Sequence, residues 1–274
     1  MSQIFLLKNQ THPKDPYLEN LQLLTPQNTP HFIPLLKHTH YQIQSLIDLL
    51  QSPSFLQEVR YLIITSQRAV ESLAYALGQI DDTHRDITLK EKIWYTVGPA
   101  TEKVLRELGV VQVRGGIDAG HGGVLSDLII EDLKKTQDIT GHDVVFFTGV
   151  VRRDIIPKKL TGYGISLKEV VIYQTVERED ILSTFRSCYE SSKPTESSTS
   201  NKPWIVFFSP QGTLPIVKYL KEQPDLLKSL RVASIGPTTE TYLQNEGVEV
   251  DLVSSKPDAE ILVREMNQFT LKGL

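Results

Sequence analysis

Two short segments of this chain, Val97-Gly98-Pro99-Ala100-Thr101-Glu102 and Ile235-Gly236-Pro237-Thr238-Thr239-Glu240, are near copies, and their glycines lie 138 residues apart. The residues that follow keep the spacing: Leu108-Gly109-Val110 is matched by Glu246-Gly247-Val248, again at an offset of 138. Upstream, Leu62-Ile63-Ile64-Thr65-Ser66-Gln67 resembles Val206-Phe207-Phe208-Ser209-Pro210-Gln211 at an offset of 144. Looser matches pair 4–8 with 143–147 and 33–36 with 171–174. A chain of 274 residues that repeats at half its length reads as one unit written twice, so whatever fold one copy takes the other must share.

Within each copy, short β-branched runs alternate with helical periodicity. Strands are expected at 4–7, 32–36, 61–65, 93–97, 110–113, 144–148, 169–174, 204–209, 232–235 and 249–253. Helices open between them at capping chemistry: Ser66 before 67–77, Pro99 in 99–108, Pro237 in 237–244, and Ser254-Ser255 before 257–266, with Pro257 and Asp258 in the first turn. This alternation predicts an α/β fold, two doubly wound parallel-sheet lobes related by internal duplication. Residues 190–203, Ser-rich and poor in apolar side chains, predict a mobile surface loop, and 25–30 a short turn.

Composition narrows the function classes. Hydrophobic residues at 40% and charged residues at 23% suit a globular protein, and no apolar run reaches the roughly 20 residues of a membrane span. A net charge of −4 argues against nucleic-acid binding through a broad basic face. Cys188 is the only cysteine, so neither an internal disulfide nor a Cys-based metal site can form. The His38-Thr39-His40 pair is a poor isolated metal site, and no H-E-x-x-H spacing occurs. We expect a cytoplasmic protein, with no membrane partner and no metal.

Ligands of open α/β sheets sit beyond the carboxyl ends of the strands, where helix N-termini present free N–H groups. Those ends here carry Thr65-Ser66, Gly98-Pro99, Gly115-Gly116, Thr148-Gly149, Ser209-Pro210 and Gly236-Pro237. Small residues of this kind serve any strand-to-helix turn, yet their recurrence in both halves points to clefts built for anions. The run from Gly115 to Gly123 lacks both a Gly-Lys-Ser/Thr ending and the G-x-G-x-x-G pattern, and its His121 reads as a solvated loop residue. Arg152-Arg153 and Lys158-Lys159 flank the helix after Thr148-Gly149, where they solvate a helix face or draw carboxylates. Tyr173 stands in an otherwise apolar strand, a position more often given to packing than to chemistry. No Ser/His/Asp, Cys/His or paired-carboxylate constellation is legible. Pattern alone stops at an anion-binding, two-lobed α/β protein, with a receptor for an anionic ligand and a sugar-phosphate or nucleotide enzyme as the readings beside it.

Several co-linear segments resemble the uroporphyrinogen-III synthase family, its eukaryotic branch in particular. They are Asp15-Pro16-Tyr17, Ile33-Pro34-Leu35-Leu36, Thr65 through Glu71, Val97-Gly98-Pro99-Ala100-Thr101, Ile155-Ile156-Pro157-Lys158-Lys159-Leu160, Val171-Ile172-Tyr173-Gln174-Thr175-Val176, Phe207 through Gly212, and Ile235-Gly236-Pro237-Thr238-Thr239. The resemblance implies two lobes joined by a two-stranded β-ladder, one of residues 1–36 and 177–274, the other of 37–176, with linker strands near 34–38 and 171–177. It implies the substrate hydroxymethylbilane, a polycarboxylate linear tetrapyrrole, closed to uroporphyrinogen III with loss of water and inversion of ring D, with no cofactor. Substrate-binding positions carried over are Thr65, Ser66, Gly98, Thr101, Thr148, Gly149, Ser209, Gly236, Thr238 and Thr239, and Tyr173 would assist hydroxide departure without being indispensable. A monomer is expected, with possible transient hand-over of substrate from hydroxymethylbilane synthase. Two positions depart from the family: Lys8 where many members carry Arg, and Gln211 where the turn after Ser209 carries Ser.

Overall fold

In the computed structural model, which describes residues 2–136, 144–192 and 202–272, the chain divides into two compact units. One comprises Met1–Lys37 and Val176–Leu274, the other His38–Thr175. The strands in chain order are β1 (Gln3–Leu7), β2 (Thr29–Phe32), β3 (Leu36–His40), β4 (Tyr61–Ile64), β5 (Ile93–Val97), β6 (Gln112–Gly116), β7 (Val144–Gly149), β8 (Leu167–Glu177), β9 (Trp204–Phe207), β10 (Arg231–Ser234) and β11 (Leu252–Val253). They form a five-stranded sheet in the order β11-β10-β9-β1-β2 and a six-stranded sheet in the order β3-β8-β7-β4-β5-β6. Every pairing from β2 to β11 in the first sheet is parallel, as is every pairing from β8 to β6 in the second.

The alternation of side chains along a strand explains the layers. In the first unit Phe5, Leu7, Ile205, Phe207 and Val232 pack one face of the sheet, while Ile4, Leu6, Trp204, Val206 and Ala233 pack the other. In the second, Leu62, Ile64, Trp94, Val145 and Phe147 share one core and Tyr61, Ile63, Tyr95, Val144 and Phe146 the opposite one. Covering both faces buries β4, β7 and β9 completely, which is why those strands read as continuous apolar runs. Each large side chain so buried contributes about 1.5–3 kcal/mol.

Four expectations from sequence shift. The run 32–36 is not one strand: β2 ends at Phe32 and β3 begins at Leu36. Pro34 has no N–H to give a ladder, and the Asn9 carboxamide takes up the donors beyond it, accepting from Leu35 N and Leu36 N at 3.1 Å each. The run 110–113 moves forward to Gln112–Gly116, because Val110 closes the preceding helix through its N–H to Leu105 O at 3.1 Å. Of 249–253 only Leu252–Val253 pairs as strand; the Asp251 carboxylate instead accepts from Val232 N at 2.7 Å. The last helix is Ala259–Lys272, since Asp258 stands outside as its cap, accepting from Ile261 N at 3.1 Å. Of the expected loop 190–203, residues 193–201 lie outside the described residues, and Glu190 and Ser191 belong to the helix Ile181–Ser191.

The division between the units passes through β3 and β8. In the first unit Arg178 N donates to Leu35 O at 2.9 Å, and in the second Tyr41 N donates to Ile172 O at 2.9 Å. His38 Nδ1 lies 2.9 Å from Thr175 Oγ1 and His40 Nδ1 2.8 Å from Ser72 Oγ, so both imidazoles are engaged. No described helix is long and apolar enough to cross a membrane.

Candidate functional site

In the unit His38–Thr175, the carboxyl ends of β4, β5 and β7, with the middle of β8, open into a cavity of about 610 Å³. Thr65, Ser66, Thr148 and Tyr173 line it. A register shift places them: Thr148 pairs with Val171 but Gly149 pairs with Tyr173, so β8 carries one extra residue at this point. The bulge brings the Tyr173 ring over the Gly149 backbone, where a Cβ at position 149 would stand 2.6 Å from Cζ and 2.9 Å from the hydroxyl oxygen. Gly149 is thus the residue that lets the phenol reach the cavity. Ser66 caps the helix Gln67–Leu77, its hydroxyl accepting from Arg68 N at 3.2 Å, so its oxygen is partly committed to the helix.

Gly98 and Thr101 are not in that lining. The Gly98 N–H already donates to Gly116 O at 2.9 Å and Ala119 O at 3.2 Å, and Thr101 is 6% exposed. What this strand end offers is the helix Pro99–Glu107, whose first turn has no side-chain cap. Gly115 and Gly116, read from sequence as a turn after a strand, belong to β6 itself. At Gly115, with φ of 87°, a Cβ would lie 2.4 Å from Thr96 O, so glycine there lets the edge strand lie against β5.

Of the residues that complete the cavity, the sequence pointed to Arg152 and Arg153 as groups that could draw carboxylates but set His121 aside. His121 lines it and, exposed before the helix as the sequence suggested, also caps it: its Nδ1 accepts from Gly123 N at 3.1 Å and Val124 N at 3.4 Å, at the start of the helix Gly122–Lys135. The signal was legible as a polar residue directly before a helical period, but histidine is not a customary cap. Arg152 and Arg153 also line the cavity. The Arg152 guanidinium is paired with Glu169, which holds its pKa above the ordinary arginine value, whereas Arg153 has no carboxylate partner among the described residues.

The first unit holds a second cavity at the carboxyl ends of β9, β10 and β11, of about 340 Å³. Ser209, Gly236, Thr238 and Thr239 line it, with Ser255 and Lys256. The helix Pro237–Asn245 starts here without a side-chain cap, as its counterpart at Pro99 does. Thr239 is 3% exposed, so it faces the packed side of that helix more than open space. Lys256, which the sequence did not single out, brings a positive charge beside these donors. Lys8, by contrast, is spent internally: it pairs with Asp15, and its ammonium lies 5.1, 5.2 and 5.9 Å from the ring centroids of Tyr17, Phe32 and Phe208. Burial alone would raise the Asp15 carboxyl, but the Lys8 ammonium and the Thr11 N–H outweigh it and hold the pKa below the usual range.

Both cavities therefore combine hydroxyls, small residues and a cation, and the second adds a helix N-terminus without a side-chain cap, a donor set suited to carboxylates. No group of three or more His, Cys, Asp or Glu among the described residues could hold a metal ion.

A family model described as "Uroporphyrinogen-III synthase HemD" matches residues 23–264. The uroporphyrinogen-III synthase of Saccharomyces cerevisiae is 43% identical over 266 residues, 95% of this chain and 94% of that one. Its counterpart in Schizosaccharomyces pombe is 33% identical over 269 residues, 98% of each. Among solved structures, uroporphyrinogen-III synthetase of Helicobacter pylori is 19% identical with a TM-score of 0.46, covering 98% of this chain and 99% of that one.

Proposed function

Since this chain belongs to the uroporphyrinogen-III synthase family, whose activity it carries, we propose that its two strand-end cavities are what hold hydroxymethylbilane for ring closure. Loss of hydroxide from the hydroxymethyl group on ring A leaves a cationic azafulvene. Carbon of ring D, attacking from its substituted position, gives a spiro intermediate, which fragments and recloses with ring D reversed. The hydroxide and the proton released by ring D leave as water. The pyrrole nitrogens supply the electron push, so the protein's work is to favour one attacking carbon over another that would otherwise win.

The observation that carries the reading is the donor set itself. Thr65, Ser66, Thr148 and Tyr173 around one cavity, and Ser209, Gly236, Thr238 and Thr239 around the other, offer hydroxyls and backbone to the acetate and propionate groups of such a substrate. Gly98 and Thr101 act through the uncapped helix start between them, and Gly149 through the room it leaves for Tyr173. The Tyr173 phenol can donate a hydrogen bond or proton to the departing hydroxide. In the same reading, each cavity belongs to one copy of a duplicated unit, supported by the matching strand orders β2-β1-β9-β10-β11 and β8-β7-β4-β5-β6, with β3 and β8 as the linking ladder. The protein would work in the cytoplasm as a monomer, receiving substrate from hydroxymethylbilane synthase.

Thr148→Val and Thr238→Val test the assignment, each removing one hydroxyl at near-constant volume. Assayed on freshly generated hydroxymethylbilane, each is expected to raise KM about 10- to 100-fold, the worth of one hydrogen bond to a charged group. Wild-type kinetics in both would sink the placement of substrate at these strand ends.

A further inference from the structure

The cavity of the second unit contains two donors that the reading above does not use. His121 is fixed at the start of the helix Gly122–Lys135 by its Nδ1, which accepts from Gly123 N and Val124 N. A neutral imidazole that accepts at Nδ1 must carry its proton at Nε2. That N–H has no protein partner among the described residues, and the ring lines the cavity that Tyr173 also lines. The seat is built for the ring: a Cβ at Gly123 would stand 3.1 Å from both Cε1 and Nδ1 of His121. Lys159 Nζ ties the same turn to the neighbouring helix Ile155–Gly162, donating to Gly123 O at 3.2 Å and to the Asp127 carboxylate at 2.7 Å. Across the cavity lining, Arg152 is spent on Glu169, which leaves Arg153 as the uncommitted cation. Val151 and Ile155, 87% and 45% exposed, give the same lining an apolar part.

We propose that His121 is a substrate-positioning residue, its Nε2–H donating to an acetate or propionate carboxylate of the pyrrole ring seated in this cavity, with Arg153 adding charge attraction and Val151 and Ile155 meeting the ring face. This rests on the assignment of the cavity to hydroxymethylbilane. Histidine at a cap position, where serine or aspartate would cap as well, is explained because the imidazole caps at Nδ1 and presents a donor on the far side of the ring, at Nε2, a reach that neither of those side chains has.

The substitution His121→Asn separates the two jobs, since the asparagine oxygen can still cap the helix while its amide donor stands well short of the place of the ring Nε2–H. In the coupled assay with freshly made hydroxymethylbilane, it is expected to raise KM about 10- to 100-fold, with kcat within about twofold, as lost binding to a charged group requires. His121→Asp, which also caps, raises KM further by repelling the carboxylate. Gly123→Ala, which presses on the ring from behind, moves KM in the same direction. Unchanged KM in His121→Asn overturns the proposal and leaves His121 a cap. If the asparagine variant does not fold, His121→Asp decides in its place. Wild-type protein run alongside keeps the levels apart: failure of the wild type to form the type III isomer defeats the functional reading, whereas a competent wild type with an indifferent His121→Asn defeats only this inference.

Discussion

Tyr173 and Gly149 act as a pair: the strand bulge and the missing Cβ together bring a phenol to the strand end. Gly149→Ala would set a methyl 2.6 Å from Cζ, so the ring must move or the strand must spread. We expect a stability loss of about 1–3 kcal/mol by urea titration, as for other overpacked sites, together with a fall in activity. Tyr173→Phe keeps the packing and removes only the hydroxyl; kcat should fall about 10-fold without vanishing, the size of one hydrogen bond to developing charge. Lys92 makes a different kind of point. It is 3% exposed, and its ammonium donates to Phe55 O at 2.8 Å, Leu56 O at 3.3 Å and Val59 O at 2.5 Å. Burial pushes its pKa down from 10.5 to about 8, although the carbonyl cage favours the charged form. Between those values the unfolded chain holds a proton that the folded chain has released, so the Lys92 contribution to stability rises with pH from about 8 to 10.5 and is constant below. Lys92→Met should cost about 1–3 kcal/mol at pH 7 by leaving carbonyls without donors, and the deficit relative to wild type should widen as pH rises through that window. A deficit that shrinks over the same range would contradict the assignment of a depressed pKa.

At the scale of elements, legibility followed burial. Strands covered on both faces, such as Tyr61–Ile64 and Ile93–Val97, announced themselves as apolar runs, and helices opening at Ser66, Pro99 and Pro237 began where their caps or prolines said. Errors gathered where a side chain stood in for a backbone partner. Asn9 serves Leu35 and Leu36, and Asp251 serves Val232, and neither contact leaves a periodic trace. Gly115 misled for the same reason, because a glycine that lets two strands approach looks like a glycine that makes a turn. Of the two cavities, the repeated small residues and the Arg152-Arg153 pair were visible in sequence; the part played by His121 and Lys256 was not, since their value depends on what lies across from them. Ser66→Ala tests one legible element: loss of its hydrogen bond to Arg68 N should lower stability by about 1 kcal/mol in a denaturant melt, and also raise KM if the hydroxyl meets substrate.

For the molecule as a whole, the alternation of strand and helix foretold parallel sheets but not that one unit is assembled from both ends of the chain. The unit His38–Thr175 begins and ends side by side, with His38 Nδ1 2.9 Å from Thr175 Oγ1, and holds both of its own core layers. Expressed alone, residues 38–175 should fold cooperatively, with a single thermal transition by circular dichroism; a molten, non-cooperative fragment would contradict its independence. The central claim concerns chemistry, and one measurement addresses it directly. Purified protein is added to hydroxymethylbilane as its synthase makes it, with no metal or cofactor supplied, and the products are oxidised and their isomers separated. The account predicts that the type I porphyrin formed without the protein gives way to type III. Continued accumulation of type I in the presence of folded protein would contradict it.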